Sequence, residues 1–163
     1  MNTPTQPQID EVCDMLKSSI SEVYSTMFQM AAQPEQIEEH RASDEVLVAG
    51  SVGFVGDVNG MVYIYVHTPF ARTLASRMLA MPEAEIEGDE MVNDVIGEMT
   101  NMVVGAVKSR LCDSGAACKL TIPSIVRGTG LHADPTGSSE RRLLRFASDG
   151  DHVLVEFLMK TTT

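Results

Sequence analysis

Apolar residues recur at helical spacing along residues 9–32, at Ile9, Val12, Leu16, Ile20, Val23, Met27 and Met30. That period predicts a long amphipathic helix. Residues 1–7 before it are polar and contain proline, which predicts a frayed tail. Residues 33–43 after it, with Pro34 and several charges, read as a loop. The pattern then changes to runs of β-formers. Residues 46–55 are rich in Val with interspersed Gly, and residues 61–66 (MVYIYV) are β-branched and aromatic. Gly56-Asp57-Val58-Asn59-Gly60 between them predicts a hairpin connection. Thr68-Pro69 reads as an N-cap followed by proline at the first helical position, opening a helix to about Leu79. An acidic loop, 83–89, leads to a further helix over about 90–112, with Gly115 just beyond. Residues 117–122 fit a strand that ends at Pro123. The Gly-rich connection PSIVRGTGLHADPTGSS is long enough to be a functional loop or an irregular edge. Strands over 141–147 and 152–159 follow, joined by a second hairpin at Ser148-Asp149-Gly150-Asp151.

The order is thus helix, hairpin, two helices, strand, hairpin. Strands joined by hairpins are antiparallel, and partial segregation of helices from strands predicts the α+β class. A chain of 163 residues fits one domain, here 8–163 after the tail.

Composition narrows the function classes more than the fold. Hydrophobic residues make up 44% and charged residues 21%, as in ordinary globular proteins. The 11 methionines suggest a core of adaptable side chains, with a Met-lined docking surface as the alternative. A net charge of −11, from 12 basic and 23 acidic residues, repels phosphate backbones and anionic membranes. Neither nucleic acid nor membrane is therefore an expected partner, whereas a protein with a basic docking face is compatible. Cys13, Cys112 and Cys118 form no CxxC and no Cys/His cluster, so they predict buried, reduced thiols and no metal site. His40, His67, His132 and His152 lack ligand spacing and are expected on loops or strand ends. Gly128-Thr129-Gly130 lacks the strand-to-helix context of a nucleotide fingerprint. The opening MNTPTQPQ has neither the basic nor the apolar region of a signal peptide, and no apolar run reaches a membrane span. A cytoplasmic location is the expectation.

The helix over 90–112 carries the candidate chemistry. At about 100° per residue, Val92, Val95, Ile96, Met99, Val103, Ala106 and Val107 gather on one side. Asp94, Glu98, Asn101, Gly105 and Lys108 form a narrow stripe opposite, each a surface neighbour of the next. Asn competes for backbone hydrogen bonds in a helix interior. Gly97 and Gly105 each cost roughly 1 kcal/mol relative to Ala. From spacing alone, such a stripe is either a solvated face or a surface that another backbone approaches closely.

The segment DVIGEMTNMVVGAVKS resembles the signature of the CheC/CheX family of chemotaxis phosphatases. In that family an acidic residue or Ser is followed four positions on by Glu, three further by Asn, and some twenty later by Pro. The matching residues here are Asp94, Glu98, Asn101 and Pro123. Thr121-Ile122-Pro123-Ser124-Ile125-Val126-Arg127-Gly128 is similar to the family's SIPxxxxG segment, and GDVNGMVYIYV resembles its strand pair. The likeness runs from about Val46 to the end, and the motif occurs once, as in CheX proteins, where CheC proteins carry it twice.

The resemblance implies a CheC-like fold, mainly antiparallel sheet with three major helices packed on it. It implies a phosphatase that hydrolyses the aspartyl phosphate of a CheY-like response regulator. The alternative is a non-catalytic CheC-like domain that binds a regulator or a flagellar switch component. By the same resemblance Asn101 orients a water in line with phosphorus, for which an amide offers donor and acceptor. Glu98 pairs with the regulator's active-site Lys, and acting as a general base is its second choice. Gly97 and Gly105 leave room for the partner's loops, and Lys108 borders them. Asp94 either extends the polar contact or only solubilises the helix. No cofactor is expected on this chain, Mg²⁺ being held by the phosphorylated regulator. A homodimer formed through the sheets is also implied, with the terminal hairpin as a possible edge. The acidic loop 83–89 beside the motif helix either selects a partner with a basic rim or slows the reaction.

Overall fold

The computed structural model describes residues 6–37, 44–133 and 139–160. The tail assigned to 1–7 falls largely outside these residues, as does His40. Helix α1 (Ile9–Phe28) buries Ile9, Val12, Leu16, Ile20, Val23 and Phe28. It ends earlier than the apolar period suggests, because Gln29 turns left-handed at φ 52°. Met30 and Ala32 nevertheless stay buried, which is why the period reads on.

Strand β1 (Gln33–Glu35) lies in the segment read as a loop, pairing Pro34 with Phe146. Three residues are too short to show a period, and proline is tolerated on an edge strand. Strands β2 (Leu47–Gly56) and β3 (Gly60–His67) form the expected hairpin. Asn59 closes its turn, accepting from Gly56 N at 3.2 Å and donating to Gly56 O at 2.8 Å. Helix α2 (Thr68–Leu79) is capped by His67 rather than Thr68. The ladder runs through His67, which pairs with Leu47, so the last strand residue doubles as the cap and Pro69 falls one place later.

A short 3₁₀ turn (Glu83–Glu85) precedes α3 (Gly88–Asp113). The helix begins within the acidic loop, because Asp89 and Glu90 suit the positive end of a helix dipole. Strand β4 (Cys118–Leu120) follows, then β5 (Ser124–Gly128), which occupies the segment read as an open connection. Strands β6 (Ser139–Ser148) and β7 (Asp151–Lys160) close the chain. Asp149 and Gly150, at φ 50° and 81°, make the tight turn whose twist suits a hairpin.

The sheet order is β1-β6-β7-β3-β2, with β4 and β5 both pairing to β2, and every pairing is antiparallel. All three helices pack on one face, as the α+β expectation required. Alternate residues supply that face: Val48, Val52 and Phe54 from β2, Val62, Ile64 and Val66 from β3, and Val153, Val155 and Phe157 from β7. Met30, Met99 and Met159 are buried, and Met15, Met27, Met78, Met81 and Met102 pack against the core, so methionine serves the interior. Strand β1 covers the edge of β6 only at 145–147, so the terminal hairpin is not the free edge it promised to be along its whole length.

The opposite face carries one buried charge among the described residues. Glu156 is 1% exposed, accepts from Tyr65 Oη at 2.8 Å and Ala133 N at 3.1 Å, and is paired with the guanidinium of Arg141. Such a carboxylate is tolerated because each oxygen has a donor.

Candidate functional site: the exposed stripe of α3

Helix α3 lies directly over β2. Thr100 is fully buried and its hydroxyl donates to Ile96 O at 2.7 Å. A Cβ at Gly50 beneath would stand 2.2 Å from Thr100 Oγ1, so only glycine lets the helix sit this close. At the N-terminal end Arg127 of β5 reaches across, its Nε donating to Asn93 Oδ1 at 2.7 Å and its Nη1 lying 3.5 Å from Asp89 Oδ1. Arg110 ties the other end to α1 through Glu22 Oε2 at 3.0 Å.

With its inner side seated, the helix presents the predicted stripe outward. Asp94 and Glu98 are exposed; Asn101, Gly105 and Lys108 are half-exposed. Neither Glu98 nor Asn101 has a hydrogen-bond or ion-pair partner among the described residues. A Cβ at Gly105 would meet nothing within 4 Å, so nothing in this chain requires glycine there. Gly97 does not join the stripe: it is buried, and Ile125 Cδ1 of β5 lies 3.7 Å from where its Cβ would be. Ala106, grouped with the core by the wheel, is only half-buried, while Gly97, Thr100, Val104 and Leu111 extend the buried arc.

Cys112 corrects the expectation of three buried thiols. It is exposed, four residues past Lys108 on the line of the stripe, whereas Cys13 and Cys118 are buried. Burial, as the largest cause, raises the Cys13 thiol pKa to about 11. His67 lies 2.5 Å from Asp151 and His152 3.1 Å from Glu35, at strand ends as expected, while His132 sits in a loop. No group of His, Cys, Asp or Glu among the described residues could hold a metal ion. No described helix is long and apolar enough to cross a membrane.

Arg127, Thr100 and Gly50 were not singled out by the sequence. Arg127 sat in a segment too short to show alternation, and the Gly50–Thr100 contact joins residues on different elements.

The chain is an α+β domain with a three-helix layer on an antiparallel sheet, and Glu98 and Asn101 stand one turn apart on its seated helix, unpaired among the described residues. The family model for the chemotaxis phosphatase CheX matches residues 48–147. The chain belongs to the CheX family. A chemotaxis protein CheX from Vibrio vulnificus superposes with TM-score 0.78 at 24% identity, covering 98% of this chain and 100% of the other. A CheC-like superfamily protein from Shewanella sp. PV-4 gives 0.79 at 25% identity, with 95% and 100% covered. CheX from Borrelia burgdorferi, solved in complex with CheY, BeF3 and Mg²⁺, gives 0.69 at 21% identity, with 92% and 98% covered. No curated protein matches the chain.

Proposed function

We propose that this protein removes the phosphoryl group from the aspartyl phosphate of a CheY-type response regulator, docking through the stripe of α3. The observation that carries this reading is the pair Glu98 and Asn101: outward-facing, unpaired, one turn apart on a helix fixed by the sheet beneath it. An acyl phosphate is already reactive, and the regulator carries its own Mg²⁺, so the phosphatase supplies positioning and charge alignment. The Asn101 amide orients a water in line with phosphorus. The water oxygen bonds to phosphorus, the bond to the aspartyl oxygen breaks, and inorganic phosphate leaves with the carboxylate restored. Glu98 pairs with a cationic side chain of the regulator, and that contact strengthens as docking excludes water. Asp94 and Lys108 flank the contact, and Gly105 admits the partner's backbone. Gly97 contributes by admitting Ile125, which seats β5 beside the pair. Two copies associating through their sheets is part of the same proposal.

The test is loss of radiolabelled phosphoryl group from a cognate regulator. The protein should accelerate that loss, and Asn101→Ala should remove the acceleration by on the order of a hundredfold with an unchanged melting curve. Glu98→Lys should mainly weaken docking. Full activity in Asn101→Ala would refute the assignment. A parent that binds the regulator without accelerating the loss would make the chain a non-catalytic binding domain.

A further inference from the structure

Past Glu35 the chain leaves the edge of β6. Strand β1 pairs only with residues 145–147, whereas β7 runs along the whole of β6 on its other side. The departure leaves a cavity of about 300 Å³ between β6, β1 and α1. That volume suits a small molecule rather than a lone water. Pro34, Ile37, Leu144 and Phe146 supply its apolar lining. Leu143 and Leu144, consecutive in β6, line it too, so one of them turns its backbone N–H and C=O towards this edge. No strand lies beside that edge there among the described residues.

The charges that line the cavity do not balance. Glu35 is already engaged: its Oε2 lies 3.3 Å from Arg145 Nε and 3.1 Å from His152 Nδ1. Lys17, half-buried on α1, lines the same cavity and forms no ion pair or hydrogen bond among the described residues. It is the lining's uncompensated charge, on a chain whose net charge is −11. A cation held in this way is a ready partner for an anion that enters beside it. One excess positive charge matches one negative charge. A dianion would bring a second that nothing in the lining meets, into a field that repels it. The apolar lining fits an apolar body behind the charged head.

We propose that this cavity binds a small monocarboxylate with an apolar body, its carboxylate on Lys17 and its body against Ile37, Leu144 and Phe146. The site is separate from the stripe of α3. That helix packs on β2, and β2 stands three strands from β6 in the sheet. At about 4.8 Å per strand, the two strands are roughly 14 Å apart. The proposal therefore does not depend on the phosphatase reading.

Hexanoate is the probe, titrated into the isotope-labelled full chain and followed by backbone amide shifts in NMR spectra. The shifts should saturate with a Kd on the order of 1 mM and centre on Glu35, Ile37, Leu143 and Leu144. Lys17→Met keeps an apolar stem and removes the charge. It should weaken hexanoate binding about tenfold, with Lys17→Arg restoring it and all three melting curves alike. Inorganic phosphate should leave these amides unmoved. Hexanoate shifts that do not saturate, or that centre elsewhere, overturn the proposal. Equal affinity in Lys17→Met also overturns it, and assigns binding to the apolar lining alone. Phosphate saturating the same amides overturns the carboxylate class.

Discussion

Gly105 is the residue whose presence this chain alone does not explain. It lies mid-helix, half-exposed, with open space where a Cβ would be. Glycine there costs about 1 kcal/mol against alanine. Gly105→Ala should therefore stabilise the protein by about that amount in urea titration, while weakening binding to a beryllofluoride-loaded regulator. A variant that gains stability and keeps full affinity would make Gly105 neutral in docking. At this scale the sequence was most legible. Asp94, Glu98, Asn101, Gly105 and Lys108 all lie on the open side, because a helical period fixes direction without further information. Gly97, given a partner-facing role by the resemblance, lies off that stripe and is buried. It falls at the border of the stripe, and only the position of β5 decides that Ile125 covers it.

At the scale of elements, the seat of α3 depends on a missing side chain. Gly50→Ala would place a Cβ 2.2 Å from Thr100 Oγ1 and 3.3 Å from Ile96 Cγ2, so the helix must lift or the strand must bend. Overpacking of this kind costs about 1–3 kcal/mol. The loss should appear in chemical denaturation, and Thr100→Ala added to Gly50→Ala should recover part of it. Full additivity of the two changes would show that they do not share the contact. The long periodic helices and both hairpins were readable from the sequence, since period and turn chemistry are local. The edge strands β1 and β5 were not. Each is defined by its neighbour, β6 or β2, and neither is long enough to declare a period of its own.

At the scale of the whole molecule, the two faces of the sheet respond differently to alkali. Tyr24, buried in the helix layer, and Tyr65, on the opposite face, both have phenol pKa values raised above the ordinary range, chiefly by burial. For Tyr65 the hydrogen bond to Glu156 adds to the effect. A raised value means that the folded state favours the neutral phenol. The stability this contributes is complete below pH about 10 and declines as pH rises from there towards the folded values. Urea midpoints should fall as pH rises above about 10, and Tyr24→Phe should flatten the decline. The Tyr24 hydroxyl has no hydrogen-bond partner among the described residues, so the same variant should be no less stable at pH 7. Helix and sheet composition revealed the layering of this molecule, whereas the buried Glu156 did not announce itself: a carboxylate on a strand reads as solvated until Tyr65 and Arg141 close over it.

Thr100 resting on Gly50 has a consequence for how the protein is controlled. A helix held against bare backbone, and tied by Arg127 at one end and Arg110 at the other, is fixed in place before any partner arrives. A regulator docking there as proposed would meet a nearly rigid surface, so the speed of docking should follow collision frequency and ionic strength rather than a shape change. If the proposed function holds, signalling control lies outside this helix, in how many copies the cell keeps and how much of the regulator carries phosphate. On the proposed reading, the domain is a constant drain whose throughput is set upstream.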